Sequence, residues 1–265
     1  MTAQDVTDLE INENTIWSTN RLYLSLLETF PKYVANFQAK WNDWQQDISA
    51  TDPSVWSSVA SFTALTALGP KITPLVVYQL ALNPDDDAAV HLYTTIETDA
   101  LYLPSTPEPS TPDPSTTPAT TTMSRGQQIL SLSFERNRAV RNALADFAER
   151  CERVSRFHSS SAMLTECAEY DALLAFGPSI IPHVMLQYAR DVEMSQQGGG
   201  GQTSASGIGR GTLLWYELLH ELVWGHKTAL RTVRLGEVYA RWEAWFQEGL
   251  AVEGAPRFSG EDAMV

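Results

Sequence analysis

The sequence predicts an all-α protein built from helical hairpins that stack on one another. Apolar residues recur three and four apart through most of the 265 residues, with few alternating runs. A turn of the form Leu/Phe-Gly-Pro-x-Ile-x-Pro occurs twice, at 68–74 and 176–182. Two segments of biased composition punctuate the rest. Residues 104–123 hold six prolines among Ser, Thr, Asp and Glu, and residues 195–211 hold seven glycines among Gln, Ser and Thr. Neither segment has the apolar surface to offset the entropy of ordering it, so the first predicts a disordered linker and the second a Gly-rich loop. The division that follows has five parts. Residues 1–17 form a flexible acidic N-terminus, 18–103 a first helical unit and 104–123 the linker. Residues 124–249 form a second unit with a closing helix, 195–211 being its loop, and 250–265 a flexible tail. The two units are expected to pack as one domain.

Ser18 or Thr19 suits the cap of a first helix through Leu22, Leu26, Leu27 and Phe30. Pro31 suits the first turn of a second, carrying Val34, Phe37, Trp41 and Trp44, because its missing N–H would be unpaired there in any case. A third helix is predicted from Ser54 to Leu68, stopped by Gly69-Pro70. The next runs from Ile72 to Leu82, and another from Asp86 to about Leu101, its acids complementing the helix dipole.

The second half repeats the first. Tyr170 to Val184 aligns with Phe62 to Val76 at a constant offset of 108 positions. The match extends through Tyr78-Gln79-Leu80 against Leu186-Gln187-Tyr188. It then reaches Leu92-Tyr93 against Trp215-Tyr216 if the glycine loop is an insertion of about 15 residues. Glycine in a left-handed conformation ends one helix, and proline starts the next at a sharp angle. Each hairpin has an apolar face that only a neighbour can cover. Tyr239, Trp242, Trp245 and Phe246 mark the helix that closes the stack.

With these elements the chain resembles HEAT-like helical repeats. More narrowly, it resembles a microbial and fungal group with a Leu-Gly-x-x-Ile-x-Pro hairpin, an aromatic partner helix and a Trp-x-x-Trp closing helix. The residues concerned are Phe176 to Pro182, Leu214 to Leu219 and Trp242-Glu243-Ala244-Trp245. The resemblance is fullest over 160–248 and weaker over 55–100; it implies an α–α superhelix and no particular reaction.

Composition narrows the function. At 43% hydrophobic residues the chain has ample material for a core, and its net charge is −14. Residues 1–124 carry 15 acidic and 4 basic side chains, residues 125–265 carry 17 and 14. Nucleic-acid binding needs local clusters of cations, which the chain supplies best at Arg136 to Arg156; that run reads as a solvated helix face, so a nucleic-acid partner is not expected. Cys151 and Cys167 lack metal or redox spacing and are expected as reduced core thiols. The start of the chain has neither the basic residues nor the apolar run of a secretory signal, and no stretch reaches the length of a membrane span. The expected location is the cytoplasm or nucleus.

The segment Trp215 to His226 is richest in chemistry. His220-Glu221 begins a zinc-protease pattern, but the second histidine would be residue 224, which is Trp224, so no metal site is predicted. Position by position, unit two exchanges Leu75 for His183, Thr94 for Glu217 and Glu97 for His220. His183, Tyr216, Glu217 and His220 are therefore the catalytic candidates, with Trp215, Trp224 and His226 as binding residues, all facing one pocket. Ordinary divergence of a structural repeat is the competing reading. Gly207 to Thr212 is too weak a glycine cluster to predict a nucleotide site, and no cofactor is implied.

Two functions follow. The leading one is a non-catalytic helical-repeat scaffold that binds a protein or peptide partner. The alternative is a cofactor-independent enzyme of the cyclase or isomerase type, in fungal specialised metabolism, acting on a small apolar molecule in the His183/His220 pocket.

Overall fold

A computed structural model of the chain describes residues 3–105, 123–155, 162–197, 212–228, 235–249 and 251–258. Most of the linker and of the glycine loop, and Arg156 at the end of the arginine run, lie outside the described residues. Eleven α-helices and no strand occur among the described residues. In chain order they are α1 (Ala3–Thr29), α2 (Pro31–Ile48), α3 (Ala60–Thr66), α4 (Thr73–Leu82), α5 (Asp87–Ile96) and α6 (Arg125–Ser155). Then follow α7 (Ala162–Thr165), α8 (Ala168–Ala175), α9 (Ile181–Gln197), α10 (Thr212–Trp224) and α11 (Leu235–Gln247). No single helix among the described residues is long and apolar enough to cross a membrane.

Local chemistry sets several boundaries. Pro31 opens α2 and Asp86 caps α5, its carboxylate accepting from the N–H groups of Ala88 and Ala89. Ser124 and Gln127 form a reciprocal capping box at the start of α6. Gly126 follows because a Cβ there would lie 1.9 Å from the Pro84 carbonyl oxygen. Three boundaries differ from expectation. Ser18 and Thr19 are buried inside α1, which begins far upstream of them, so packing and not capping explains their small side chains. The helix expected from Ser54 to Leu68 is divided into a 3-10 turn, Pro53–Ser58, and α3. Val59 is extended between them, and Ser58 donates back to the Val55 carbonyl in competition with a continuous helix. The helix starting at Asp86 stops at Ile96, because the Glu97 carboxylate folds back to accept from the Thr98 and Asp99 N–H groups.

The repeated turn has nearly the same geometry twice. Gly69 and Gly177 have φ of 69° and 67°, and the helices on either side bend by 90° and 94°. A Cβ would be strained at either position. The two turns pack on each other near the centre of the molecule. Around them, α6 lies on α4 and α5 of the first unit and on α8 of the second; α11 lies on α9 and α10 and also on α2. Thus the expected closing helix caps its own unit and returns to the other. Trp44 packs on Phe62 at 5.2 Å and Phe147 on Tyr170 at 5.7 Å, so α6 serves α8 as α2 serves α3. Phe246 of α11 stacks on Tyr33 at 4.2 Å and meets Phe30 edge-on at 5.0 Å. The buried apolar residues form one continuous core across both units, with Cys151 and Cys167 in it as free thiols.

Residues 251–258, expected as part of a flexible tail, instead form a packed strap. Val252 N–H donates to the Ala67 carbonyl at 3.4 Å and its side chain fills the space a Gly69 Cβ would need. The strap supplies acceptors to two indole N–H groups, one buried and one half-buried: Ala251 to Trp245 at 3.0 Å and Pro256 to Trp224 at 3.1 Å. Phe258 is buried beside Trp242 and His220.

Candidate functional site

The polar residues of α10 are engaged in holding the fold. His220 is 2% exposed, and its Nδ1 donates to the His226 carbonyl at 2.8 Å. The His220 pKa lies below the ordinary histidine value, first through burial. The exposed His226 ring lies 4.9 Å from it, centroid to centroid. Glu217 accepts from the Thr228 N–H at 3.0 Å and Glu221 from the Tyr170 hydroxyl at 2.9 Å. Trp215 donates to Asp191 at 2.7 Å and meets Phe147 edge-on. Trp224 carries the Arg257 guanidinium 4.1 Å above its ring. Tyr216 is buried, and burial raises its hydroxyl pKa well above the ordinary value. Among the described residues no three His, Cys, Asp or Glu side chains gather as metal ligands would.

His183 faces elsewhere. It sits at the start of α9 on a groove of about 380 Å³ walled by α1, α6 and α9. Neither Tyr216, Glu217, His220, Trp215, Trp224 nor His226 lines this groove, so the shared pocket expected from the repeat comparison is not formed there. The physical reason is that α10 packs against α8, α9 and α11, whereas His183 points from α9 towards α1 and α6.

The groove has a charged rim and a mixed floor. Arg21 of α1, Arg141 of α6 and Arg190 of α9 lie on it, all exposed, and none forms an ion pair among the described residues. Arg21 lies over the Trp17 ring at 5.3 Å, and Arg141 Nε donates to the Asn137 carbonyl at 3.2 Å. Leu22, Leu144, Ala145, Ala148 and Leu186 give apolar walls; Ser18, Ser25, Asn137 and Gln187 add neutral polar groups. Among the described residues no carboxylate lines the groove. Asp191 is next in sequence to Arg190, but its oxygens accept from Gln187 and Trp215.

Below the groove is a smaller space of about 10 Å³ that shares Leu22, Asn137 and His183 with it and adds Thr19, Ser133, Arg136 and Ser179. His183 is 9% exposed and its Nδ1 has no hydrogen-bond partner. Thr19 Oγ1, also buried, has none either. Burial, followed by the charges of Arg136 and Arg141, lowers the His183 pKa to about 3. The imidazole is therefore neutral at physiological pH: a hydrogen-bonding group, and a weak base.

Sequence reasoning found His183, through its contrast with Leu75, and missed the arginines. Arg141 belongs to the run singled out for nucleic acid, but that run disperses in three dimensions. Arg136 is buried against Glu97, with Ser179 and the Tyr93 hydroxyl also near its guanidinium. Arg138, Arg150 and Arg153 pair with Glu135, Glu169 and Glu149. Arg21 and Arg190 stand apart in sequence and give no pattern until α1 and α9 meet α6. No protein-family model, no curated protein and no solved structure matches the chain.

Proposed function

We propose that this chain is a non-catalytic, helical-repeat binding protein whose groove between α1, α6 and α9 receives an anionic ligand. One observation carries the reading: three guanidiniums converge on a groove where, among the described residues, they have no ion-pair partner and no carboxylate lines the wall, in a chain of net charge −14. Guanidinium forks match the planar oxygens of carboxylates and phosphates. The proposal keeps the expected repeat scaffold and narrows the partner, since a groove of about 380 Å³ suits a small molecule and not a folded domain. Catalysis is the weaker alternative because the candidate acids and bases of α10 are engaged in hydrogen bonds away from His183.

The test is calorimetric titration with size-matched carboxylates, phosphates and ammonium compounds, at two salt concentrations. Anions are expected to bind, more weakly at high salt, with affinity falling about tenfold or more in the Arg141→Ala/Arg190→Ala double variant, about 1.4 kcal/mol or more. Equal binding of cations, or affinity unchanged in the double variant, would overturn the assignment.

A further inference from the structure

Unit two departs from unit one at a point where departure is unfavourable. Leu75, in the first hairpin, is wholly buried and needs no partner; His183, its counterpart, is nine-tenths buried and leaves Nδ1 unbonded. Thr19 leaves a second buried polar atom unbonded on the wall of the same inner space. Ser133 Oγ is a third such atom on that wall, and because buried polar groups without partners are rare, three around one space mark where a further group belongs. That space is about the size of a single probe sphere, so it admits one oxygen and not a ring or a branched group. Leu22, Asn137 and His183 stand between it and the groove, each lining both. Arg136 and Arg141 close by make the surroundings unfavourable for an ammonium group, which leaves a neutral oxygen.

We infer that the ligand is an apolar carboxylic acid bearing a hydroxyl at a distance from the acid, its carboxylate at the arginine rim, its chain along the leucine and alanine walls, and its hydroxyl between His183 Nδ1 and Thr19 Oγ1. This rests on the anion-binding reading of the groove and goes further by assigning both ends of the molecule. The hydroxyl can donate to the imidazole nitrogen while accepting from the threonine, satisfying two of the three orphaned atoms at once. A neutral histidine suits that exchange, since an imidazolium would lack the acceptor.

The probes are decanoate and a series of monohydroxydecanoates with the hydroxyl moved along the chain, titrated into the full chain carrying 15N-labelled histidine. One positional isomer is expected to bind about tenfold more tightly than decanoate and to shift the His183 Nδ1 resonance. His183→Leu, which installs the residue of the first hairpin, should remove the advantage of the hydroxyl, so that decanoate and the favoured hydroxy acid bind the variant alike. If decanoate and all hydroxy acids bind alike, or the advantage survives in His183→Leu, the hydroxyl assignment is wrong while the anion site stands. If none of these acids binds and the anion titrations also fail, both fall together.

Discussion

The two Gly-Pro hairpins share a backbone and differ in what their side chains face. In the first, Lys71 is 1% exposed and lies 3.9 Å above the Trp245 ring, while the Tyr33 hydroxyl donates to the Lys71 carbonyl at 2.6 Å. In the second, the equivalent Ser179 receives the Arg136 guanidinium at 3.1 Å. Each turn thus holds one buried basic side chain, supplied by the turn itself in one unit and by α6 in the other. Further along, Glu97 is buried against Arg136, whereas its counterpart His220 is buried against the loop at His226. Leu75 completes the core and His183 faces the groove. Conformation is what the repeat preserves; polarity is what it varies, and the asymmetry places the groove on unit two's side of the pair.

The largest test of that asymmetry is Glu97→Ala against His220→Ala. Removing Glu97 strands the buried Arg136, and a loss of about 3–5 kcal/mol is expected. Removing His220 ends a single hydrogen bond and trims a buried ring, for about 1–3 kcal/mol. Urea denaturation of both variants measures the difference; equal losses would mean that Arg136 finds other partners.

A smaller effect separates the two glycines. Alanine at either is expected to cost about 1–2 kcal/mol from the left-handed backbone alone. Gly69→Ala should cost more, because its Cβ would stand 2.5 Å from Val252 Cγ2, whereas nothing lies within 4 Å at Gly177. Denaturation midpoints give the order, and a Gly177→Ala variant less stable than Gly69→Ala would show that the strap yields freely.

His183→Leu should have the smallest effect at neutral pH, a gain of about 1 kcal/mol on removing an unpartnered buried group. Its pH dependence is more telling. The folded pKa of about 3 lies below the ordinary histidine value of 6.5, so the unfolded chain takes up a proton first as pH falls. The stability contributed by the neutral ring is complete above pH 6.5 and declines towards pH 3. His183→Leu should flatten this limb of the curve, as followed by thermal melts across that range. A parallel profile for the variant would place the ring in solvent.

Much of the fold was legible because its determinants are local. The Gly-Pro turns, Pro31 at the start of α2 and the Asp86 cap each act within a few residues. The strap was not legible, because its role depends on the indole N–H groups of Trp224 and Trp245, which need acceptors only once the helices have buried them. The site was half legible. Comparison of the units singled out His183, but its neighbours come from α1 and α6, and the helix with which it was grouped, α10, spends its polar groups on its own loop and on α8. Sequence spacing reports faces within a helix; it does not say which helix a face will meet.

The strap also bears on how the chain is made. Val252 plugs the first turn and Phe258 lies under α10, so residues synthesised late complete a turn synthesised long before. On the ribosome, the first hairpin emerges without Trp245 over Lys71 or Phe246 against Tyr33. Its aromatic face waits for α11, and the first unit reaches its final form only after the second has left the exit tunnel.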